Sequence, residues 1–123
     1  MILLLDSNVI IEMAKPEAVD LRGYLASGTL WVASISSIEV LGYRALNPDA
    51  RSFFTEFFAD APSHPLSDDV IQRAISLRQQ RKMSLGDAII AATALVHGFT
   101  LATRNTKDFK WIEELQLLDP IAR

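Results

Sequence analysis

The feature that most constrains the fold of this chain is a short apolar run that stops at a carboxylate. Residues 2–5 read Ile-Leu-Leu-Leu and are followed directly by Asp6, Ser7 and Asn8. A continuous apolar run bounded by polar residues is typical of the central strand of a parallel sheet, which is buried on both faces. An acidic side chain directly after such a strand costs free energy unless it has a partner. Asp6 is therefore the first candidate functional residue.

Strand and helix patterns alternate along the rest of the chain. Short apolar runs predict further strands at residues 30–33, 64–66, 99–102 and 117–118. Helical spacing and capping residues predict helices at 9–14, 17–26, 36–46, 49–59, 68–80, 85–97 and, in part, 107–114. This alternation predicts an α/β fold with a short, mostly parallel central sheet between helices. With 123 residues and no linker or repeat, we expect a single domain over residues 1–123.

The composition excludes several classes of function. The chain has no cysteine, which removes disulfides, zinc–thiolate sites and thiol catalysis and fits a cytoplasmic protein. Its apolar stretches are too short for a signal peptide or a membrane span, so we expect no membrane partner. The net charge of −3 is not the basic footprint of a protein that binds nucleic acid through phosphate contacts alone. Such a role requires a local basic surface or a metal bridge.

Four acidic residues are predicted to lie near points where a strand ends and a helix begins: Asp6, Glu39, Asp87 and Asp108. They are far apart in the sequence, but the carboxyl ends of parallel strands meet at one edge of a sheet, where ligands bind in open α/β folds. Carboxylates gathered at one edge repel one another unless they share a cation. The placement of Asp87 is the least direct, because its helix follows another helix.

Each of these acids also has a purely structural interpretation. Asp6 would form an Asx-turn or cap the first helix. The others each lie three residues after a capping residue, at the capping-box spacing or a near variant of it: Ser36–Glu39, Ser84–Asp87 and Asn105–Asp108. A carboxylate in the first turn of a helix also complements the helix dipole. For any one of these three, capping is the simpler interpretation, and only the four acids together favour a site.

Carboxylate oxygens without histidine or cysteine companions favour Mg²⁺, with Mn²⁺ as the alternative, over zinc or copper. One or two such ions polarise a phosphoryl oxygen and lower the pKa of a bound water. In-line attack of that water on a phosphodiester needs no serine or cysteine nucleophile. The acids therefore indicate metal-dependent hydrolysis of a phosphodiester.

Four segments of the chain resemble, in order, the motifs of PIN-domain nucleases. They are Leu-Leu-Leu-Asp-Ser-Asn-Val-Ile at 3–10, Ser-Ser-Ile-Glu-Val at 36–40, Leu-Gly-Asp-Ala-Ile-Ile-Ala-Ala-Thr-Ala at 85–94, and Thr-Arg-Asn-Thr-Lys-Asp-Phe at 103–109. Within that family the short chain resembles the VapC-type toxins. The resemblance covers nearly the whole chain. It implies a PIN-like α/β/α fold, Mg²⁺- or Mn²⁺-dependent cleavage of RNA, a VapB-type antitoxin partner and a homodimer.

The resemblance also implies roles for the acidic positions. Asp6 and Asp87 match metal ligands, and Glu39 matches a ligand or a residue that orients the attacking water. Asn105 and Asp108 share the fourth acidic position, because many relatives carry an acid where this chain has Asn105. An asparagine there still offers a carbonyl oxygen but adds no negative charge.

Further polar residues near the motifs have predicted supporting roles. The residues that resemble polar neighbours of the ligands are Ser7, Asn8 and Thr103. Arg104 and Lys107 flank Asn105 and are placed to contact RNA phosphates, and the basic run at 78–82 would guide an RNA backbone toward the metal. The alternative for all these cations is a solvated helix end, where positive charge suits the dipole.

Two other functions are compatible with the same residues. The chain would act only as an RNA- or protein-binding module if Asn105 signals a weakened site. A receiver-type phosphoacceptor domain also clusters acids around Mg²⁺. The latter is disfavoured because such domains pair two acids at the end of one strand and need a lysine late in the chain.

Overall fold

The computed structural model describes residues 2–121, and its central feature is a five-stranded sheet in which all neighbouring strands are parallel. The strands are β1 (Ile2–Leu5), β2 (Thr29–Ala33), β3 (Ser63–His64), β4 (Thr100–Ala102) and β5 (Leu117–Leu118). Their order across the sheet is β3-β2-β1-β4-β5, so β1 occupies the centre. The predicted α/β fold and the central position of the first strand are confirmed.

Seven helices within the described residues cover the two faces of this sheet. They are α1 (Ser7–Met13), α2 (Val19–Ala26), α3 (Ser34–Leu41), α4 (Pro48–Asp60), α5 (Asp68–Gln80), α6 (Leu85–His97) and α7 (Thr106–Phe109). Core residues of α1 to α4 pack on one face with Leu3 and Leu5, whereas those of α5 to α7 pack on the other face with Leu4. The side chains of β1 alternate between the faces, and these three leucines are buried. The end of β1 therefore lies between two layers of helices.

Capping residues fix the ends of the helices that follow β3. Ser67 accepts a hydrogen bond from the backbone N–H of Val70 at 3.3 Å, and Ser84 accepts one from that of Asp87 at 3.1 Å. Gly98 follows α6 in the left-handed conformation, with φ at 69°, which glycine adopts without strain. The predicted bounds of α6 and its cap at Ser84 are confirmed, and they place Asp87 in its first turn.

The predicted start and end of α3 are wrong. The helix begins at Ser34 rather than at Ser36, and it ends at Leu41 rather than at residue 46. Ser36 lies inside the helix and is fully buried, so it does not act as the cap. Gly42 follows the helix directly, and the poor helix propensity of glycine accounts for the early end.

The last helix is also shorter than predicted. α7 ends at Phe109, because the chain then folds into turns that bury Ile112 and Leu115 in the core. The longest helices have 13 residues each. Within the described part of the chain, no helix combines the length and hydropathy needed to cross a lipid bilayer.

The two histidines belong to an aromatic stack. The ring centroids of His64 and His97 are 3.7 Å apart, and Trp31 stacks on His64 at 4.4 Å. Burial, and to a smaller extent the neighbouring His97, lower the pKa of His64. His97 lies ten residues along α6 from Asp87, about 15 Å at the helical rise, so the stack is remote from the acids. His97, the last residue of α6, therefore packs against the rings of His64 and Phe99.

Candidate active site

Asp6 lies at the carboxyl end of β1, beside the end of β4. Its side chain is only 3% exposed, and its Oδ2 accepts a hydrogen bond from Oγ1 of Thr103 at 2.7 Å. Thr103 directly follows β4 and is fully buried. Asp6 occupies the N-cap position of α1, but its side chain makes no capping hydrogen bond there. The capping interpretation therefore does not account for this carboxylate. Ser7 and Asn8 open α1, with Ser7 buried and Asn8 exposed.

Glu39 is oriented by serines from two helices. Ser7 donates a hydrogen bond to Oε1 of Glu39 at 2.7 Å, and the hydroxyl of Ser36 lies 3.1 Å from that of Ser7. A carboxylate can only accept a hydrogen bond, so the single hydroxyl proton of Ser7 must point at Glu39. The proton of the hydrogen bond between the two serines therefore comes from Ser36. This chain of hydroxyls ties α3 to α1 and fixes one oxygen of Glu39.

Asp87 reaches the same region from α6. A Cβ atom added at Gly86 would lie 2.5 Å from Oε2 of Glu39, which means that the Glu39 carboxylate packs directly on the first turn of α6. The hydrogen bond from the Asp87 backbone to Ser84 fixes that turn. The second oxygen of Glu39 thus lies against Gly86, the residue before Asp87, although Glu39 and Asp87 are remote in sequence.

Burial, with repulsion from neighbouring acids, raises the pKa values of Asp6 and Asp87. Burial raises the pKa of Asp6 above its ordinary value, the hydrogen bond from Thr103 opposes this, and repulsion from Asp87 and Glu39 adds to the rise. Burial likewise raises the pKa of Asp87, and the hydrogen bond with Ser84 opposes this. Repulsion from Asp108 and Glu39 adds to the rise. None of the four forms a salt bridge with a cation in residues 2–121. The fold therefore concentrates negative charge without compensating it.

Asn105 and Asp108 lie three residues apart at the turn that opens α7. The backbone N–H of Asn105 donates to Oγ1 of Thr103 at 3.0 Å, and the N–H of Asp108 donates to the carbonyl oxygen of Asn105 at 2.9 Å. The Asn105 side chain does not cap α7. Of the two residues, Asp108 adds to the charge that raises the pKa of Asp87. Asn105 instead lies next to the threonine that holds Asp6.

The two cations predicted to contact phosphate differ in their surroundings. Arg104 forms an ion pair with Glu12 of α1, with Nη1 and Oε1 3.1 Å apart. Lys107 is exposed and lines an open groove together with Asp87 and Asp108. Arg104 is therefore engaged within the protein, whereas Lys107 faces the approach to the acids.

The donor set fits a hard divalent cation. Every charged candidate ligand is a carboxylate, and burial, with repulsion from neighbouring acids, makes the Asp6 and Asp87 carboxylates more basic than usual. No group of three or more acidic or histidine side chains among residues 2–121 converges closely enough to hold an ion. Mg²⁺ keeps several waters and takes only one or two carboxylates directly, so it does not need a group of three.

Sequence reasoning missed the roles of two small residues at the site. Ser36 was assigned to a helix cap, but its buried hydroxyl supports Ser7. Gly86 was not predicted to have a role. A glycine in the first turn of a helix lowers helix stability, and this is a signal that its lack of a side chain is required for packing. The carboxylate of Glu39 lies in the space that a Cβ atom would occupy.

Comparisons with known proteins match this chain to one family and to several solved structures. The family model described as PIN domain matches residues 3–115. Ribonuclease VapC1 of Rickettsia felis is 29% identical over 127 residues, covering 94% of each chain. A toxin–antitoxin complex from Klebsiella pneumoniae contains a chain that is 30% identical, with 95% of this chain and 96% of that chain covered and a TM-score of 0.76. A DNA-bound VapBC from Salmonella typhimurium has a TM-score of 0.83 at 19% identity, covers 98% of both chains, and supports the fold alone.

Proposed function

This chain belongs to the PIN domain family, and on that premise we propose that it is a metal-dependent endoribonuclease that serves as the toxin of a toxin–antitoxin pair. One observation carries the proposal: Asp6, Glu39 and Asp87, which are far apart in the sequence, come together at the carboxyl edge of a parallel sheet. There, Ser7 donates to Glu39, and the Glu39 carboxylate packs on Gly86. Repulsion from Asp87 and Glu39 adds to the rise that burial causes in the pKa of Asp6. The similarity to a ribonuclease and to a toxin–antitoxin complex supports the substrate and the biological role.

Asp6 and Asp87 are the residues that would hold the metal ion. Glu39 is the residue that orients water, because Ser7 fixes one of its oxygens and the other lies beside α6. Asp108 supplies the fourth negative charge, and Asn105 supports the site through its contact with Thr103. When bound, Mg²⁺ or Mn²⁺ supplies a polarised phosphoryl oxygen and a more acidic water.

The protein side chains have their own tasks in this reaction. Thr103 donates a hydrogen bond to Oδ2 of Asp6. It does not occupy Oδ1, the other oxygen of that carboxylate. Glu39 would accept a hydrogen bond from a water and so orient that water toward the phosphodiester. The Asp6 carboxylate is itself nearly out of contact with bulk water, whereas Glu39 is exposed. Positioning and charge thus do the work that a nucleophilic side chain does in other hydrolases.

The same family membership supports several further assignments. We assign a VapB-type antitoxin as the protein partner and a homodimer as the assembly. We also assign Mg²⁺ as the physiological ion with Mn²⁺ as the substitute, a cytoplasmic location, and a single PIN-like domain over residues 1–123. Co-purification with the product of a neighbouring reading frame tests the antitoxin assignment.

Cleavage of RNA in defined metal conditions tests the proposal. The purified protein is incubated with a labelled single-stranded RNA in Mg²⁺, in Mn²⁺ and in EDTA, and the products are resolved on a gel. We expect internal cleavage with either ion and none in EDTA. Cleavage that persists in EDTA would contradict the metal-dependent mechanism, and RNA binding without cleavage in either ion would favour the binding module. The match to the PIN family does not support the receiver-type alternative.

The Gly86→Ala variant is expected to lower cleavage by about 10- to 100-fold without lowering the melting temperature. The added Cβ displaces the flexible end of Glu39, which moves the water-orienting oxygen but strains no backbone. Alanine also favours the helix by about 0.5–1 kcal/mol over glycine. Single-turnover cleavage and thermal unfolding are measured on the same preparation.

Gly23→Ala in α2 is the matched control, because a Cβ at Gly23 meets nothing within 4 Å. It is expected to gain the same helix stability and to keep full activity. If Gly86→Ala cleaves RNA as fast as Gly23→Ala does, the position of Glu39 is not important for the reaction.

A further inference from the structure

A groove of about 610 Å³ opens beside the acids, between the end of α5, the start of α6 and α7. Asp87 and Asp108 line it at one end. Four cations also line it: Arg78, Arg81, Lys82 and Lys107. The net charge of the whole chain is −3, so this concentration of positive charge is local. It supplies the basic surface that the overall composition lacks.

The cations of the groove have no carboxylate partner among the described residues. Elsewhere in the described chain, Lys15 and Arg104 pair with Glu12, and Arg73 pairs with Glu114. In the groove, Arg78 makes one hydrogen bond, from Nε to the carbonyl oxygen of Met83 at 3.3 Å. The positive charge there is therefore available to an anionic ligand.

Trp111 adds an aromatic wall to the same groove. Its Nε1 donates to the carbonyl oxygen of Asp108 at 3.2 Å, which fixes the indole relative to the acidic end. The guanidinium of Arg81 lies 5.7 Å from the ring centroid, within cation–π distance. Trp111 is half-buried, so part of the ring remains exposed. Cations that follow the backbone and an aromatic ring that stacks on a base are the two features by which proteins hold single-stranded nucleic acids.

We propose that a single strand of RNA lies in this groove, with its phosphates against Arg78, Arg81, Lys82 and Lys107 and a base against Trp111. The strand then runs from the basic end to the acidic end, where the scissile phosphodiester meets Asp87. This inference rests on the proposed nuclease function for the identity of the strand. It also separates Lys107, which faces the strand, from Arg104, which is held by Glu12.

RNA binding by an Arg81→Gln/Lys82→Gln variant tests the groove. Binding of a short fluorescein-labelled single-stranded RNA is measured by anisotropy in EDTA, over a range of salt concentrations. We expect the Kd to rise on the order of tenfold. The plot of the logarithm of the association constant against the logarithm of the salt concentration should become less steep by about 1.4. The variant loses two phosphate contacts, and each contact to a single strand contributes about 0.7 to the slope.

The Arg51→Gln variant is the control. Arg51 is an exposed arginine of α4, on the opposite face of the sheet, and does not line the groove. Its removal should change neither the Kd nor the slope. If the double variant binds with the affinity and salt slope of Arg51→Gln, the RNA does not follow this groove.

The fluorescence of Trp111 reports on stacking in a Trp31→Phe background, since the chain has two tryptophans. Saturating RNA should quench this emission if a base stacks on the indole, and unchanged emission would overturn that contact. The two proposals fail separately. Binding that depends on the groove, without cleavage in Mg²⁺, would support this inference and contradict the nuclease function. Cleavage by the wild-type protein, together with normal RNA binding by the double variant, would support the nuclease function and contradict this inference.

Discussion

Replacing Asp87 with asparagine is expected to reduce RNA cleavage on the order of a thousandfold while the protein stays folded. Asparagine keeps the size of the side chain and leaves the capping bond from the backbone to Ser84 in place. It removes the negative charge that a divalent ion requires. Asp6→Asn is expected to behave alike, because the amide oxygen still accepts from Thr103. Single-turnover rates with labelled RNA and the circular dichroism spectrum give the two readouts.

Asp49→Asn separates this effect from helix capping. Asp49 and Asp87 both lie in the first turn of a 13-residue helix, where a carboxylate complements the dipole. Asp49 belongs to α4 and does not influence the pKa values of the site acids. Asp49→Asn should therefore match Asp87→Asn in its small effect on the helix but keep full activity. Full Mg²⁺-dependent cleavage by either Asp6→Asn or Asp87→Asn would show that the site is assigned to the wrong residues.

The central strand and its carboxylate were predictable because their signals are local. An uninterrupted run of four apolar residues requires burial on both faces, and the residue that ends the run must then lie at the sheet edge. Ser84, Asp87 and Gly98 were equally accessible to prediction, since a cap and a left-handed glycine define the ends of α6 without reference to other elements. Each of these features is determined by the side chains of a few neighbouring residues.

The features that were not predictable depend on contacts between remote segments. Ser36 has the sequence environment of a helix cap, and only the approach of α1 turns it into a partner of Ser7. The contact of the Glu39 carboxylate with Gly86 depends on how α6 packs against α3, which the linear order of elements does not specify. The groove likewise brings α7 against the end of α5, so Lys107 joins a basic run that lies more than twenty residues earlier.

Mn²⁺ is expected to stabilise the wild-type protein strongly and the Asp6→Asn variant hardly at all. An ion that binds only the folded state raises the free energy of unfolding by about 2.7 kcal/mol when its concentration is 100 times its Kd. Thermal unfolding in a Mn²⁺ titration measures this gain, and Asp49→Asn again serves as the control. A flat response of the wild-type protein would favour a binding module over a metal-dependent enzyme.

Without metal, the Asp6→Asn variant is expected to be more stable than the wild-type protein. Burial and repulsion raise the folded-state pKa of Asp6 above the ordinary value of 3.8, so protonation of Asp6 favours the folded state. This stabilisation is complete below pH 3.8 and is lost as the pH rises through the folded-state pKa. In EDTA at pH 7, Asp6→Asn should therefore be more stable than the wild-type protein, and its advantage should shrink as the pH falls.

The comparison between the two proteins isolates Asp6 from the other titrating groups. His64 has a lowered pKa, so its protonation below about pH 6.5 destabilises the fold, but it does so equally in both proteins. The difference in their free energies of unfolding therefore follows the carboxyl group alone. A wild-type protein that is the more stable of the two in EDTA at pH 7 would mean that the hydrogen bond from Thr103 outweighs the combined effect of burial and repulsion on the Asp6 carboxylate.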